Sequence, residues 1–300
     1  MTQQGEKFGR SRSISQIVDA KTTTEGDGFT VHRAFPNNVV RDFDPFLLLD
    51  EMGPIDLSPG EAKGASDHPH RGFETITYVI DGAFEHKDSQ ANSGKLYSGD
   101  VQWMTAGSGV VHSEMPEKEF VKKGGRLHGF QLWVNLPRKD KMIKPRYQDV
   151  PSKNIPTMKS IDGKVQVKVI AGEAMGKKAV IDTKIPIIYL HFTIQHGGKV
   201  IQKVPEKYNA FLYVLGGEGL FGSEQKTAKK EQAVFFEQDG DEVSIESLSE
   251  TTLPLEVILL AGVPLNDSVK RYGPFVMNTD EELSQAISDY NGGKMGKIDF

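Results

Sequence analysis

Short alternating or wholly apolar runs, separated by turn residues, set the pattern of this chain. Phe29-Thr30-Val31-His32-Arg33-Ala34-Phe35 alternates apolar with polar side chains, as a half-buried strand does. Phe46-Leu47-Leu48-Leu49 is continuously apolar and predicts a buried strand. Further strands are predicted at Thr75 to Ile80, Val101 to Met104 and Phe130 to Val134. Asp81-Gly82, Ser98-Gly99-Asp100 and Gly107-Ser108-Gly109 supply the turns between them. Asn135-Leu136-Pro137-Arg138 closes this set, and the Lys- and Pro-rich stretch 138–160, without periodicity, reads as a connector.

A second set follows at Val165 to Ile170, Ile187 to Thr193, Ala210 to Leu215, Ala233 to Phe236 and Leu255 to Leu260. The two sets look like copies. Tyr78-Val79-Ile80-Asp81-Gly82 aligns with Tyr213-Val214-Leu215-Gly216-Gly217, and each is followed by a short aromatic strand, Val101 to Met104 and Ala233 to Phe236. Near the end, Asp280-Glu281-Glu282-Leu283 opens a helix with acids in its first turn, where the macrodipole favours them. Leu283, Ala286, Ile287 and Tyr290 give it one apolar stripe, and Asn291-Gly292-Gly293 stops it. The expected architecture is all-β: two antiparallel barrels or sandwiches and a short C-terminal helix.

Composition narrows the class. With 31 Gly and 15 Pro in 300 residues the chain is rich in turns, which favours strands over a helical bundle. The net charge of -5 and scattered basic pairs such as Lys122-Lys123 and Lys229-Lys230 give no footprint for direct nucleic-acid binding. The absence of cysteine excludes disulfides, thiolate zinc, iron–sulfur clusters and a cysteine nucleophile. Met1 to Ala20 has no apolar core of a secretory leader, and no run of apolar residues is long enough to span a membrane, so a cytoplasmic, monomeric protein is expected. Gly216-Gly217-Glu218-Gly219 lacks the strand–helix setting of a phosphate cradle.

Chemistry concentrates in two short patterns, His68-Pro69-His70 and His112-Ser113-Glu114. Residues i and i+2 of a strand share a face, so each pair can aim two ligands at one point. Three neutral nitrogens and one carboxylate suit one divalent first-row ion per chain, Fe, Mn, Ni, Cu or Zn, with coordination positions left open. At the offset that aligns the two sets, Lys203, Pro205 and Asn209 stand where His68, His70 and Glu74 would fall, and no H-x-E lies near 244–250. One metal centre and one blank barrel are expected. The domains are accordingly 1–140, with the metal, and 141–300, without it and ending in the helix.

Asp67-His68-Pro69-His70-Arg71-Gly72-Phe73-Glu74-Thr75 resembles the first signature of the pirin family, within the cupin superfamily. Ser98 to Gly107, leading to His112-Ser113-Glu114-Met115-Pro116, resembles the second, and Leu132 to Pro137 and Tyr272 to Thr279 match as well. The likeness covers nearly the whole chain. It implies a bicupin in which His68, His70, His112 and Glu114 hold the metal, Fe(II) by family expectation. Glu74 is a rival carboxylate, because His68-x-His70-x-x-x-Glu74 fits a spacing common in cupins. Gly72 can bend the strand between them, and the pirin pattern selects Glu114. Glu74, Arg71, Trp103 and Met104 are then candidates for an outer shell or pocket wall, with core or ion-paired placement as the plainer alternative. His86 and His128 are weaker candidates still, and His32, His191 and His196 read as structural. The likeness also implies flavonol ring opening of the quercetin 2,3-dioxygenase type, with release of carbon monoxide and Glu114 as general base for the 3-hydroxyl proton. A small aromatic flavonol is the implied substrate. The alternative the family carries is a metal- and redox-dependent regulator that binds other proteins.

Overall fold

The computed structural model describes residues 9–250 and 253–300. Of the segment Met1 to Ala20, Met1 to Phe8 lie outside the described residues. The strands predicted from alternation all form, and every ladder between strands is antiparallel among the described residues. Two compact units result.

One unit comprises Ala20–Ile155, Ile181–Ile185 and Leu265–Phe300. Its seven-stranded sheet runs Arg146–Val150, Val101–Thr105, Phe73–Asp81, Gly125–Asn135, Phe46–Leu57, Phe29–Phe35, Lys21–Glu25. Its four-stranded sheet runs Ala65–His70, Val110–Pro116, Ala83–Asp88, Ser93–Tyr97. The other unit comprises the segment ending at Asp19, Pro156–Val180 and Pro186–Pro264. It repeats the plan, with Asn209–Gly216 occupying the place of Phe73–Asp81 and Gln232–Phe236 that of Val101–Thr105. The five-residue repeat therefore marks equivalent strands.

Two expectations need correction. The units cross the division at residue 140 at both ends: Ile14–Asp19 pairs with Gln232–Phe236, and the C-terminal helix belongs to the unit that holds Ala20–Ile155. The stretch 138–160 is not a bare connector either. Arg146–Val150 pairs with Val101–Thr105 as an edge strand, and its polar Arg-Tyr-Gln-Asp-Val sequence hides the apolar phase that would have revealed it.

The two interiors differ in kind. In the second barrel Val243 and Ile245 of the strand Glu242–Ser247 join Leu212, Val214, Val234 and Leu259 in a wholly apolar core. Each such side chain stabilises the fold by about 1.5–3 kcal/mol when buried. In the first barrel the corresponding strand, Val110–Pro116, carries His112 and Glu114 instead, and the apolar cluster of Val31, Met52, Val79, Phe84, Leu96 and Leu127 is small.

The C-terminal helix, Asp280–Asn291, begins at Thr279, whose hydroxyl accepts from Glu282 N while the Glu282 carboxylate accepts from Thr279 N. This reciprocal cap satisfies two orphan donors. Ala286, with Leu283 and Ile287, packs on Val111, Phe275, Met277 and Met295. The helix thus backs the strand that carries His112. No helix among the described residues is long and apolar enough to cross a membrane.

Candidate metal centre

Ala65–His70 is the edge strand of the four-stranded sheet, where Pro69 can sit without breaking a ladder on both sides. It pairs with Val110–Pro116 in the register His68↔His112 and His70↔Val110. His68 and His70 share a face, and His112 meets them from across the ladder. Their ligand nitrogens all lie within 4.8 Å of one another. His112 Nε2 and His68 Nε2 are 3.0 Å apart. Two nitrogens at right angles on an ion with bonds of about 2.1 Å would be separated by roughly 3.0 Å.

His70 makes no close hydrogen bond at either ring nitrogen, with only the Pro274 backbone beside it, and Nδ1 of His112 has none, although both residues are buried. Buried polar atoms left unpaired are costly and rare, and an ion would satisfy one ring nitrogen of His70. His68 is oriented by Nδ1 at 2.8 Å from Ser66 O, which as a donor to that carbonyl leaves the Nε2 lone pair facing the other rings. Burial first, then the neighbouring imidazoles, pulls His70 and His112 well below the usual histidine range. Both are therefore neutral at pH 7, the form that binds a metal. The residues present fit a divalent ion.

Glu114 stands outside the three-histidine cluster but lines the same cavity. A register irregularity between His112 and Glu114 shifts it relative to Ala65–His70. Its Oε1 accepts from Thr77 Oγ1 at 2.7 Å and its Oε2 accepts from Gln131 Nε2 at 3.3 Å. The cavity, about 590 Å³, opens on His68, His70, Thr77, Gln131 and Trp133. That volume lies within the roughly 300–1,000 Å³ of sites for small organic ligands.

The four outer candidates do not line this cavity. Gly72, at φ 89, turns the chain between His70 and the strand Phe73–Asp81. That turn resets the alternation: Thr77 faces the cavity and Glu74 the opposite side. There Glu74 is fully buried, accepts from Thr105 Oγ1 at 2.6 Å, and has its carboxyl pushed up by burial. Trp103 pairs in register with Ile76 and shares that side. Met104 packs with Ala106 and Val110. Arg71 is a tether. It donates from Nε to Ser108 O at 2.7 Å and from Nη1 to Asp289 Oδ2 at 2.8 Å. Lys294, then Arg71 and Gln285, hold the Asp289 carboxyl well below the usual range. His86 stacks on Tyr147 at 5.0 Å, and His128 Nε2 lies 2.8 Å from Glu51 Oε1.

Several cavity residues carried no assignment from sequence. Trp133 stands edge-on to His70 with ring centroids 5.3 Å apart. Arg271 lies over the Trp133 ring at 4.7 Å. Arg33 grips Asp50 with two bonds of 2.8 and 2.6 Å and also bonds Glu25. The phase of Gly125–Asn135 was a usable signal, since Gln131 and Trp133 fall between the fully buried Phe130, Leu132 and Val134. Arg271 sits in a three-residue strand with no periodicity to read.

The family model described as Pirin matches residues 28–134, and that of the Pirin C-terminal cupin domain matches residues 189–296. A Pirin-like protein of Solanum lycopersicum is 45% identical over 289 residues, 96% of this chain and 94% of the relative. Pirin of Homo sapiens is 40% identical over 293 residues, 96% of each. A crystal structure of quercetin 2,3-dioxygenase from Acinetobacter baumannii superposes with a TM-score of 0.89 at 36% identity, covering 97% of this chain and all of that one.

Proposed function

Because the chain belongs to the pirin family, we propose that it is a metal-dependent dioxygenase that opens the ring of a flavonol such as quercetin. The observation that carries the proposal is the three converging histidines, of which His68 and His70 line a cavity shared with the Glu114 carboxylate. The likeness to a quercetin 2,3-dioxygenase supports the substrate class.

His68, His70 and His112, with Glu114, would hold the ion. A divalent iron there would supply Lewis acidity and a redox partner for dioxygen. The remaining work falls to the chain's own groups. Thr77 anchors one Glu114 oxygen at 2.7 Å, whereas the 3.3 Å bond from Gln131 leaves the other less firmly held. Glu114 Oε2 is the atom to accept the 3-hydroxyl proton, and Gln131 and Thr77 steady the carboxylate as its charge changes. Val31, Met52, Phe84 and Leu48 wall the cavity and keep water from the electron-rich flavonolate. One flavonol and one dioxygen balance to a ring-opened ester and carbon monoxide, so no external reductant is called for.

The test is an anaerobic titration of iron-loaded protein with quercetin, followed by admission of air. A shift of the quercetin band, then its decay with matched oxygen uptake, is expected, and the decay should vanish in Glu114→Ala. No band shift with a full complement of metal would overturn the substrate assignment.

A further inference from the structure

We infer that Arg271, lying over Trp133, is the recognition platform of this cavity, and that the cavity selects uncharged planar polyphenols against flat carboxylates. The inference deepens the flavonol proposal and rests on it.

The platform is built from the metal outward. Trp133 contacts His70 edge-on at 5.3 Å and Phe73 at 4.4 Å, which fixes the indole plane beside the centre. The guanidinium carbon of Arg271 lies over the Trp133 ring, 4.7 Å from its centroid, in cation–π range. One edge of the guanidinium is committed, with Nη1 donating to Leu47 O at 3.2 Å. Its other N–H groups have no hydrogen-bond partner among the described residues, and neither has the buried indole N–H of Trp133. Asp50 is occupied by two bonds from Arg33. A guanidinium is planar and presents its donors in its own plane. A flat ring sliding in beside it gains a stacking face and donors at its edge, matching the carbonyl and phenolic oxygens of a flavonol.

Charge decides what else is admitted. The cavity lining carries five carboxylates, Glu25, Asp27, Asp50, Asp67 and Glu114, against the two guanidiniums of Arg33 and Arg271. Even with a bound dication the formal balance stays negative. A lone Arg beside a metal would ordinarily invite an organic acid. Here the acidic lining opposes one, while a neutral polyphenol pays no such electrostatic cost.

Binding to zinc-loaded protein, which holds the site without turnover, tests this with two probes, quercetin and chromone-2-carboxylate. Quercetin should bind the wild type and lose about tenfold in affinity in both Arg271→Gln and Arg271→Lys, because an ammonium keeps the charge but not the flat stack. The thermal midpoint of both variants should match the wild type. With iron, KM should rise by the same factor while kcat stays within about twofold. Chromone-2-carboxylate should bind at least tenfold more weakly than quercetin. Wild-type affinity in Arg271→Gln, full rescue by Arg271→Lys, or carboxylate binding equal to that of quercetin would overturn the inference while leaving the flavonol proposal standing. Failure of the wild type to bind quercetin at all would overturn both.

Discussion

Lowering the pH should destabilise the metal-free protein through two named histidines. His70 and His112 are 2% and 0% exposed, and burial holds both well below the usual histidine range. In the unfolded chain each titrates near 6.5. Below that pH the unfolded state takes up protons that the folded state refuses, so stability is complete above about 6.5 and is lost as the pH falls. Between pH 7.5 and 5.5 each imidazole contributes about 1.4 kcal/mol of loss, and the two together about 2.7 kcal/mol. For a domain of this size that corresponds to a fall of about 5–10 °C in the thermal midpoint. The assay is a set of thermal melts of chelator-treated protein across this range, comparing the wild type with the double variant His70→Gln/His112→Gln. Other groups titrate equally in both, so the difference isolates the pair. Equal losses in the two proteins would refute the claim that these rings are buried neutral.

The remaining predictions concern the residues that frame the centre. Lys141 is buried, with its ammonium lowered to about 8 by burial, and donates to Gly72 O, Asn135 Oδ1 and Val276 O at 2.8, 2.7 and 3.0 Å. Lys141→Met strands three acceptors and should cost about 2–4 kcal/mol in urea unfolding at pH 7; an unchanged midpoint would count against this role. Arg33→Leu leaves Asp50, 3% exposed, without its ion-pair partner, and should cost about 3–5 kcal/mol in the same assay, part of which Asp50→Asn should restore. Gly72→Ala would place a Cβ 2.0 Å from Val276 O at a positive φ. It should cost about 1–3 kcal/mol and weaken metal binding by calorimetry, because the same turn sets His70.

Much of this was legible because strand periodicity survives translation into structure. Phe29 to Phe35 and Ala210 to Leu215 announced buried strands, and the i, i+2 spacing of His68 and His70 announced a shared face. The repeat was legible too, and in the second barrel Val243 and Ile245 belong to an apolar core. What was hidden depends on breaks in period. Gly72 turns Glu74 away from the cavity, and counting by twos cannot see a turn of that kind. The interleaved units were hidden for another reason. Ile14–Asp19 finds its partner at Gln232–Phe236, a pairing set by tertiary packing that no local pattern records. Arg271 and Arg33 reach the cavity through long side chains from strands whose own alternation says nothing of their tips.

Crystals of iron-reconstituted protein test a metal centre on His68, His70, His112 and Glu114 through anomalous diffraction at the iron edge. One strong peak per chain is expected, within about 2.0–2.3 Å of one nitrogen from each histidine and of a Glu114 oxygen. A peak held by other residues, or none in protein that retains iron in solution, would contradict it.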